Sequence, residues 1–365
     1  DGSFRLNMKY FNYATGLTMT NDKFEDLFGQ KTRDPKELLT QFHMDIASSI
    51  QAVIEEIVLK IVIAIQNETK IKNLCLAGGV ALNCVANGKI LKNKIFDNIW
   101  IQPASGDAGG SLGAALAFWH KELSQPRKID SQKDNMKGSY LGPSFKEKEI
   151  EKSLKNLGAK YLKCSDDELS DKIADELNNE KIVGWFQGRM EFGPRALGCR
   201  SIIADPRSEK MQKNLNLKIK FRESFRPFAP SILFEELNNW FDLDIESPYM
   251  LLVANAKISE NKNNTFKIPA VTHVDKSARI QTVKRKDNEI FYELIKEFFR
   301  QTKCPILVNT SFNIRGEPIV CSPEDAYNCF MGTNLDVLVM ESFFIDKKNN
   351  KSYKTHDYKN KFALD

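Results

Sequence analysis

The sequence predicts a mixed α/β protein of two domains, and three observations carry that expectation. Its 365 residues exceed the roughly 100–200 residues of a single domain. In the first third, a short apolar run twice ends at a glycine turn that opens a helix, which is the pattern of parallel strands joined by helices. Beyond residue 143, helical periodicity alternates with short apolar, strand-like runs. With 42% hydrophobic and 28% charged residues and a formal charge of +5, the composition is that of a globular chain, outside the disordered class.

Element by element, residues 35–66 carry apolar positions at helical spacing and predict one long amphipathic helix. Leu74 to Ala77 reads as a buried strand, followed by Gly78-Gly79 and a helical VALNCVANGKILKN. A second strand, IWIQP, leads through SGDAGG into an apolar helix reaching about Trp119. Residues 126–143 are polar and broken by glycine and proline, so they read as a linker closing a first domain over 1–125. In the second domain, 144–346, helices are expected near 147–157, 166–178, 287–300 and 323–330, and strands at IVGWF, SIIAD, APSIL, YMLLVANA, CPILVN and DVLVM. The polar stretch 347–365 reads as a peripheral tail.

Seven cysteines, scattered and without a C-x-x-C pair, argue against both a disulfide framework and a zinc ribbon and point to a reducing cytoplasm. No apolar run approaches the roughly 20 residues of a membrane span, and the opening DGSFRLNMKYF lacks a signal-peptide layout. The chain starts with Asp1, which suggests a piece of a longer or processed protein.

Three stretches carry chemical promise. In LAGGVALN (76–83), glycines at a strand-to-helix turn allow a ligand close to the backbone, and the helix start offers free N–H groups to an anion; plain turn geometry is the competing explanation. In PASGDAGGSLGAA, Gly106 and Asp107 sit in a second such loop, where Asp107 would hold a phosphate-bridging cation or simply cap a helix. Two loops after two successive strands favour nucleotide binding, since ligands of open α/β sheets lie at the carboxyl ends of the strands. The third stretch, GWFQGRMEFGPRALGCRSIIADPRS (184–208), sets Arg189, Arg195, Arg200 and Arg207 among glycines and prolines. Lys220, Arg222 and Arg226 follow in KIKFRESFRPFAP, and Arg315 in NTSFNIRGEP. Guanidinium groups grip phosphate and carboxylate oxygens with paired donors. The plainer alternative is a buried ion network with Glu191, Asp205, Glu223 and Glu317. A modest net charge and loop placement favour a compact anion over nucleic acid.

Together LAGGVALNCVANGKI, PASGDAGGSLGAALA, GRMEFGPRALGCRSIIADPR, KFRESFRPFAPSIL, THVDKSARIQTV and NTSFNIRGEPIVCSPEDA resemble the O-carbamoyltransferases of the nodulation-protein-U type, which carbamoylate sugar and antibiotic hydroxyls. Six motifs in order cover most of the chain; the sequence departs at Lys276, where an HVDGSAR-like segment has glycine. The resemblance implies the C-terminal part of an actin-like ATPase (RNase H-like) domain followed by a carbamoyl-adenylate-forming, YrdC-like domain. It implies ATP with Mg2+ and carbamoyl phosphate as reactants, an acceptor hydroxyl, a cytoplasmic setting and compatibility with a homodimer. By the same resemblance Lys220, Arg195, Arg226, Arg279 and Ser311 form the catalytic set. Gly78, Gly79, Asn83, Gly106, Arg189, Arg200, Arg222, Asn309 and Arg315 bind nucleotide, and Asp107 ligates metal.

The family's metal, Fe2+ or a similar divalent ion, is held partly by an H-x-x-x-H pair, and His43, His120, His273 and His356 make no such pair. The resemblance therefore implies a chain beginning inside the first domain. His43 is expected to be structural, His120 and His356 superficial, and His273 near a site. Two alternatives stay open: a kinase-like phosphotransferase, which gives the arginine-rich second domain no task, and a non-catalytic nucleotide-binding remnant.

Overall fold

The computed structural model describes residues 2–34, 37–128, 134–257, 268–350 and 358–362. The chain divides into two compact units, one made of residues 1–74, 89–99 and 364–365, the other of 75–88 and 100–363.

In the first unit, α1 (Asp22–Phe28) is capped by Asn21 and ends at Gly29, whose φ of 70° lies in the left-handed region. The expected long helix is α2 (Gln41–Thr69), 29 residues. It starts later than predicted because Thr40 and His43 form a reciprocal cap: the His43 ring accepts the Thr40 N–H at 3.0 Å. His43 is structural, as expected. Glu55, 6% exposed, is neutralised by Lys89, which holds α2 within this unit. Residues 35–36, where the helix was expected to begin, lie outside the described residues.

The division runs through the next four elements: β1 (Asn73–Leu76), α3 (Cys84–Lys92), β2 (Asn98–Ile101) and α4 (Asp107–Ala117) follow one another as strand, helix, strand, helix. Backbone N–H groups of Asp97 and Gln102 bond the carbonyls of Lys72 and Leu76. The bonds advance in the same sense along both strands, so the pair is parallel as the pattern predicts.

In the second unit, α5 (Glu147–Asn156), β3 (Leu162–Lys163), α6 (Asp166–Asn178), β4 (Val183–Phe186) and β5 (Arg200–Ala204) come first. They are followed by α7 (Met211–Asn214), β6 (Ala229–Leu233), α8 (Leu237–Trp240), β7 (Leu252–Asn255) and β8 (Ser277–Val283). The series closes with α9 (Glu289–Thr302), β9 (Ile306–Ser311), α10 (Pro323–Gly332), β10 (Val337–Met340) and β11 (Phe343–Asp346). Nine strands form one mixed sheet in the order β3-β11-β10-β4-β5-β9-β6-β8-β7, in which β4/β10 and β6/β8 are parallel. β4, β5, β6 and β10 are buried at every position, which is why they read as continuous apolar runs. α6 and α9 pack together, α9 burying Phe291, Leu294, Ile295 and Phe298 on one stripe at helical spacing.

Two expectations about the connecting segments need revision. Within 126–143, Met136 and Ser139 are buried and Tyr140 donates its hydroxyl to the Leu197 carbonyl at 2.9 Å, so the later part of that segment packs into the second unit; residues 129–133 lie outside the described residues. The polar end is not wholly peripheral either. Asn350 and Tyr358 are buried, Lys347 donates to the carbonyls of Phe330 and Thr333, and the Tyr358 hydroxyl donates to Glu317. His356 falls outside the described residues. Among the described residues no helix is long and apolar enough to cross a membrane.

Candidate functional site: a cationic cluster

Alternation along the strands sorts the candidate side chains onto two faces of the sheet. Ser201 pairs with Ser311, and Ile203 with Asn309; Ser231 pairs with Gln281. Arg279 lies two residues before Gln281, so Ser311, Asn309, Ser231, Gln281 and Arg279 share one face. Arg200 precedes Ser201 and belongs to the other. There it is fully buried, stacks 3.5 Å over the Phe186 ring and donates to the carbonyls of Gln187, Cys199, Gly188 and Pro143 at 3.0–3.3 Å. Arg200 is thus built into the core and stands apart from the other arginines.

On the first face, Asn309 Nδ2 donates to Ser231 Oγ at 3.0 Å and to Gln281 Oε1 at 2.8 Å. Gln281 Nε2 in turn donates to the Leu197 carbonyl at 2.8 Å. This network joins three strands to the loop carrying Arg195, and it leaves the buried Asn309 Oδ1 without a partner.

Lys220 ends a π-helical turn, Leu215–Lys220, which continues α7; such turns recur at functional sites. Its ammonium, on a residue only 3% exposed, donates to Ser311 O at 2.5 Å, to Asn313 O and Oδ1 at 2.9 Å each and to Ser311 Oγ at 3.2 Å. Burial, and secondly the charge of Arg222, push Lys220 down to about 7. Arg222 is itself held down to about 10 by burial and by Arg226; it donates to Asn216 Oδ1 at 2.7 Å and lies against the Phe228 ring. Arg279 is likewise lowered to about 10, by burial and then by Arg195 and Arg222. Arg195 is lowered by burial, with Cys84 acting in the opposite direction, and its Nε is buried without a hydrogen-bond partner. Lys220, Arg222, Arg279 and Arg195 therefore form a chain of mutually repelling cations inside one unit, and among the described residues none of the four is ion-paired to a carboxylate.

The remaining candidates divide between the cluster's edge and the scaffold. Arg226 is exposed and pairs with Glu223 at 3.0 Å; Arg315 shares that carboxylate at 3.9 Å and bonds the Lys220 carbonyl through its backbone N–H. Arg189 is exposed and donates to the Leu141 carbonyl at 2.9 Å. Arg207 is absorbed by Asp205 and Asn178. The ion-network alternative thus holds for Arg207, Arg226 and Arg315 and fails for the four central cations. His273 lies close enough to Arg279 to feel its charge and meets Ser277 Oγ at 3.2 Å. Lys276, in the same turn, has a φ of 67°, which explains why a glycine suits this position.

The two glycine loops belong to the same unit. Gly78 has a φ of 99° and, like Gly79, faces open space where a side chain would stand. Asn83 accepts the Ala86 N–H at 3.1 Å and so caps α3; Cys84 begins α3 and lies within electrostatic reach of Arg195 and Arg279. Gly106 precedes α4 as its cap residue. At Gly193, a Cβ would stand 3.0 Å from the Pro103 carbonyl, so the arginine loop packs directly on the second glycine loop. Asp107 is exposed in the first turn of α4. No group of three or more His, Cys, Asp or Glu side chains among the described residues is placed to hold a metal, so the described residues do not fit the Fe2+ site that the resemblance implies. A cavity of about 960 Å³ elsewhere in the unit, between α6 and α9, contains none of these residues.

Sequence reasoning missed Glu191 and Gln281 as organisers of the site. The one signal for Glu191 was a carboxylate inside an arginine loop; for Gln281 it was a polar residue within an otherwise apolar SARIQTV run.

Two family models match the chain, Carbamoyltransferase N-terminus over residues 1–116 and Carbamoyltransferase C-terminus over 174–347. The chain is 56% identical to the uncharacterized protein sll1178 of Synechocystis, over 95% of this chain and 59% of that protein. It is 42% identical to nodulation protein NolO of Bradyrhizobium diazoefficiens, over 85% and 56% respectively, and 36% identical to nodulation protein U of Rhizobium fredii, over 67% and 39%. It thus spans about two fifths to three fifths of these curated relatives. The solved structure of full-length HypF in its phosphate- and nucleotide-bound form is 21% identical with a TM-score of 0.34, over 47% of this chain and 21% of that one, too slight a likeness to carry argument. With both family models matched over most of its length, the chain belongs to the carbamoyltransferases, a family of enzymes.

Proposed function

We propose that this chain forms carbamoyl-adenylate from carbamoyl phosphate and ATP, and that the carbamoyl group then passes to a hydroxyl of a sugar or secondary metabolite. The observation that carries this is the set of four cations, a buried Lys220 with half-buried Arg222, Arg279 and Arg195, none of them ion-paired to a carboxylate among the described residues. Gathering like charges away from water is costly, and a bound polyanion offsets that cost directly.

The adenylation step brings a carboxylate-like carbamoyl oxygen to the α-phosphorus of ATP and expels pyrophosphate. Both reactants are anionic, so fixed cations must cancel their repulsion and stabilise charge developing on the phosphoryl oxygens. Arg195, Arg222 and Arg279 supply planar, paired donors. Lys220, held at the Ser311–Asn313 turn by four oxygen acceptors, places a compact charge beside Ser311. Arg226 and Arg315, sharing Glu223 at the edge, would attract the nucleotide's phosphates, and Mg2+ would arrive with ATP as their counterion. Gly78, Gly79 and Gly106 leave backbone accessible at helix starts. We assign the second unit's sheet to a YrdC-like adenylating part and the β1–α3–β2–α4 segment to an actin-like part.

The test is pyrophosphate release from ATP with and without carbamoyl phosphate. Release dependent on carbamoyl phosphate, reduced at least about a hundredfold by Lys220→Ala, is expected. ATP turnover indifferent to carbamoyl phosphate would instead favour a kinase-like phosphotransferase.

A further inference from the structure

The loop presenting Arg195 has its backbone held by side chains on both its donor and acceptor sides. Glu191, 6% exposed, accepts the N–H of Leu197 at 2.6 Å and of Cys199 at 2.8 Å on Oε1. Its two oxygens share the N–H of Arg200 at 3.4 and 3.2 Å. On the acceptor side, the Leu197 carbonyl receives the Tyr140 hydroxyl at 2.9 Å and Gln281 Nε2 at 2.8 Å, and the Gly198 carbonyl receives Trp185 Nε1 at 2.9 Å. Gly193 and Gly198 supply the φ values of 137° and 103° that close the loop, which L side chains adopt only with strain.

Burial pushes the Glu191 carboxyl up and the N–H groups of Leu197 and Cys199 oppose that shift, because a carboxylate accepting several N–H groups makes charge-assisted bonds, the strong kind. Here they fold residues 191–200 back on themselves and hold Arg195 on the loop between the two ends, its Nε buried and unpartnered. A loop left free would have to be ordered when a ligand fixed Arg195, and anchoring its backbone beforehand removes that ordering cost from the binding step.

We propose that Glu191 is a positioning residue for Arg195: it touches no ligand, yet its backbone bonds set the loop that aims the guanidinium into the cationic cluster. This rests on the cluster being an anion site, as proposed above. The test is a double-mutant cycle read by calorimetric titration of the full chain with inorganic pyrophosphate, with thermal unfolding recorded alongside. Glu191→Asp retracts the carboxylate by one methylene and should weaken binding about tenfold, as should Arg195→Ala; the double variant should be no weaker than Arg195→Ala alone, since residues acting through one another are not additive. A role confined to stability would lower the unfolding temperature and leave the two losses independent, so a double variant about a hundredfold weaker, or Glu191→Asp binding like the unaltered chain, overturns the proposal. If Glu191→Asp does not fold, Glu191→Gln runs the same cycle, because its amide nitrogen replaces the oxygen that accepts the Arg200 N–H and the charge that strengthens the other bonds is lost. Failure of the unaltered chain to bind pyrophosphate refutes the anion site itself, an outcome distinct from additivity.

Discussion

At the scale of single residues, the environment rather than the residue type decides what each cation does. Arg200 and Arg195 lie five positions apart in one motif, yet Arg200 opens β5 and turns into a cage of carbonyls, whereas Arg195 stays on the preceding loop within electrostatic reach of Arg279. Lys220 is the cation most able to change its charge. With a folded value of about 7 against an ordinary 10.5, its burial cost is present in full below pH 7. It fades as pH rises toward the unfolded value, because the unfolded chain then holds the proton that the folded chain has released. A bound polyanion restores the proton. Pyrophosphate binding at about pH 8.5 should therefore take up protons, measurable as a buffer-dependent enthalpy, and Lys220→Met should abolish the uptake; no uptake in the unaltered chain would place its titration elsewhere. Lys276 is the other informative position. A non-glycine residue in the left-handed region costs about 1–2 kcal/mol, partly offset by the greater unfolded freedom of glycine. Lys276→Gly should stabilise the chain by about 0.5–1 kcal/mol in urea unfolding, and a fall in the midpoint would mean that the lysine side chain contributes more than its backbone strain costs.

At the scale of elements, α4 shows how tightly a glycine loop is built. In its first turns a Cβ at Gly109 would stand 2.2 Å from the Ala104 carbonyl, whereas one at Gly110 would meet nothing within 4 Å. Gly110→Ala should gain up to about 1 kcal/mol from helix propensity. Gly109→Ala should lose at least about 1 kcal/mol, because the clash is with backbone; equal effects of the two in thermal unfolding would contradict the close approach of helix and loop. Both loops were legible from the sequence because a glycine pair after a short apolar run leaves few other backbone choices. The strands IVGWF, SIIAD, APSIL and CPILVN were legible for a related reason, being buried on both faces. β8 was not recognised as a strand beyond its motif, and the reason is physical: Ser277, Arg279 and Gln281 put polar groups on a buried face, which breaks the apolar pattern that marks a central strand. The same residues that hide the strand build the site. β3, two residues long, has no pattern to read.

At the scale of the whole molecule, the arginine concentration between residues 189 and 315 was visible in the sequence, but which arginines converge was not. That depends on the order β5-β9-β6-β8, which sets Arg279 on the same sheet face as Ser231, Asn309 and Ser311, the residue that holds Lys220, although the chain separates them widely. The cluster so formed is a stored imbalance: like charges kept together in the free protein at the expense of stability, as is common where function requires a site that the fold alone would not favour. Two effects should then separate in one variant. Arg279→Met removes a cation whose charge opposes both burial and its neighbours Arg195 and Arg222, while keeping a long apolar stem of similar reach. The free protein should unfold at a higher temperature than the unaltered chain. Pyrophosphate should raise the unfolding temperature of the unaltered chain in proportion to the logarithm of its concentration, since only the folded state binds it, and should leave that of Arg279→Met nearly unmoved. An Arg279→Met chain that is less stable and still protected by pyrophosphate would show that Arg279 holds the sheet together rather than the ligand, and would remove it from the proposed site.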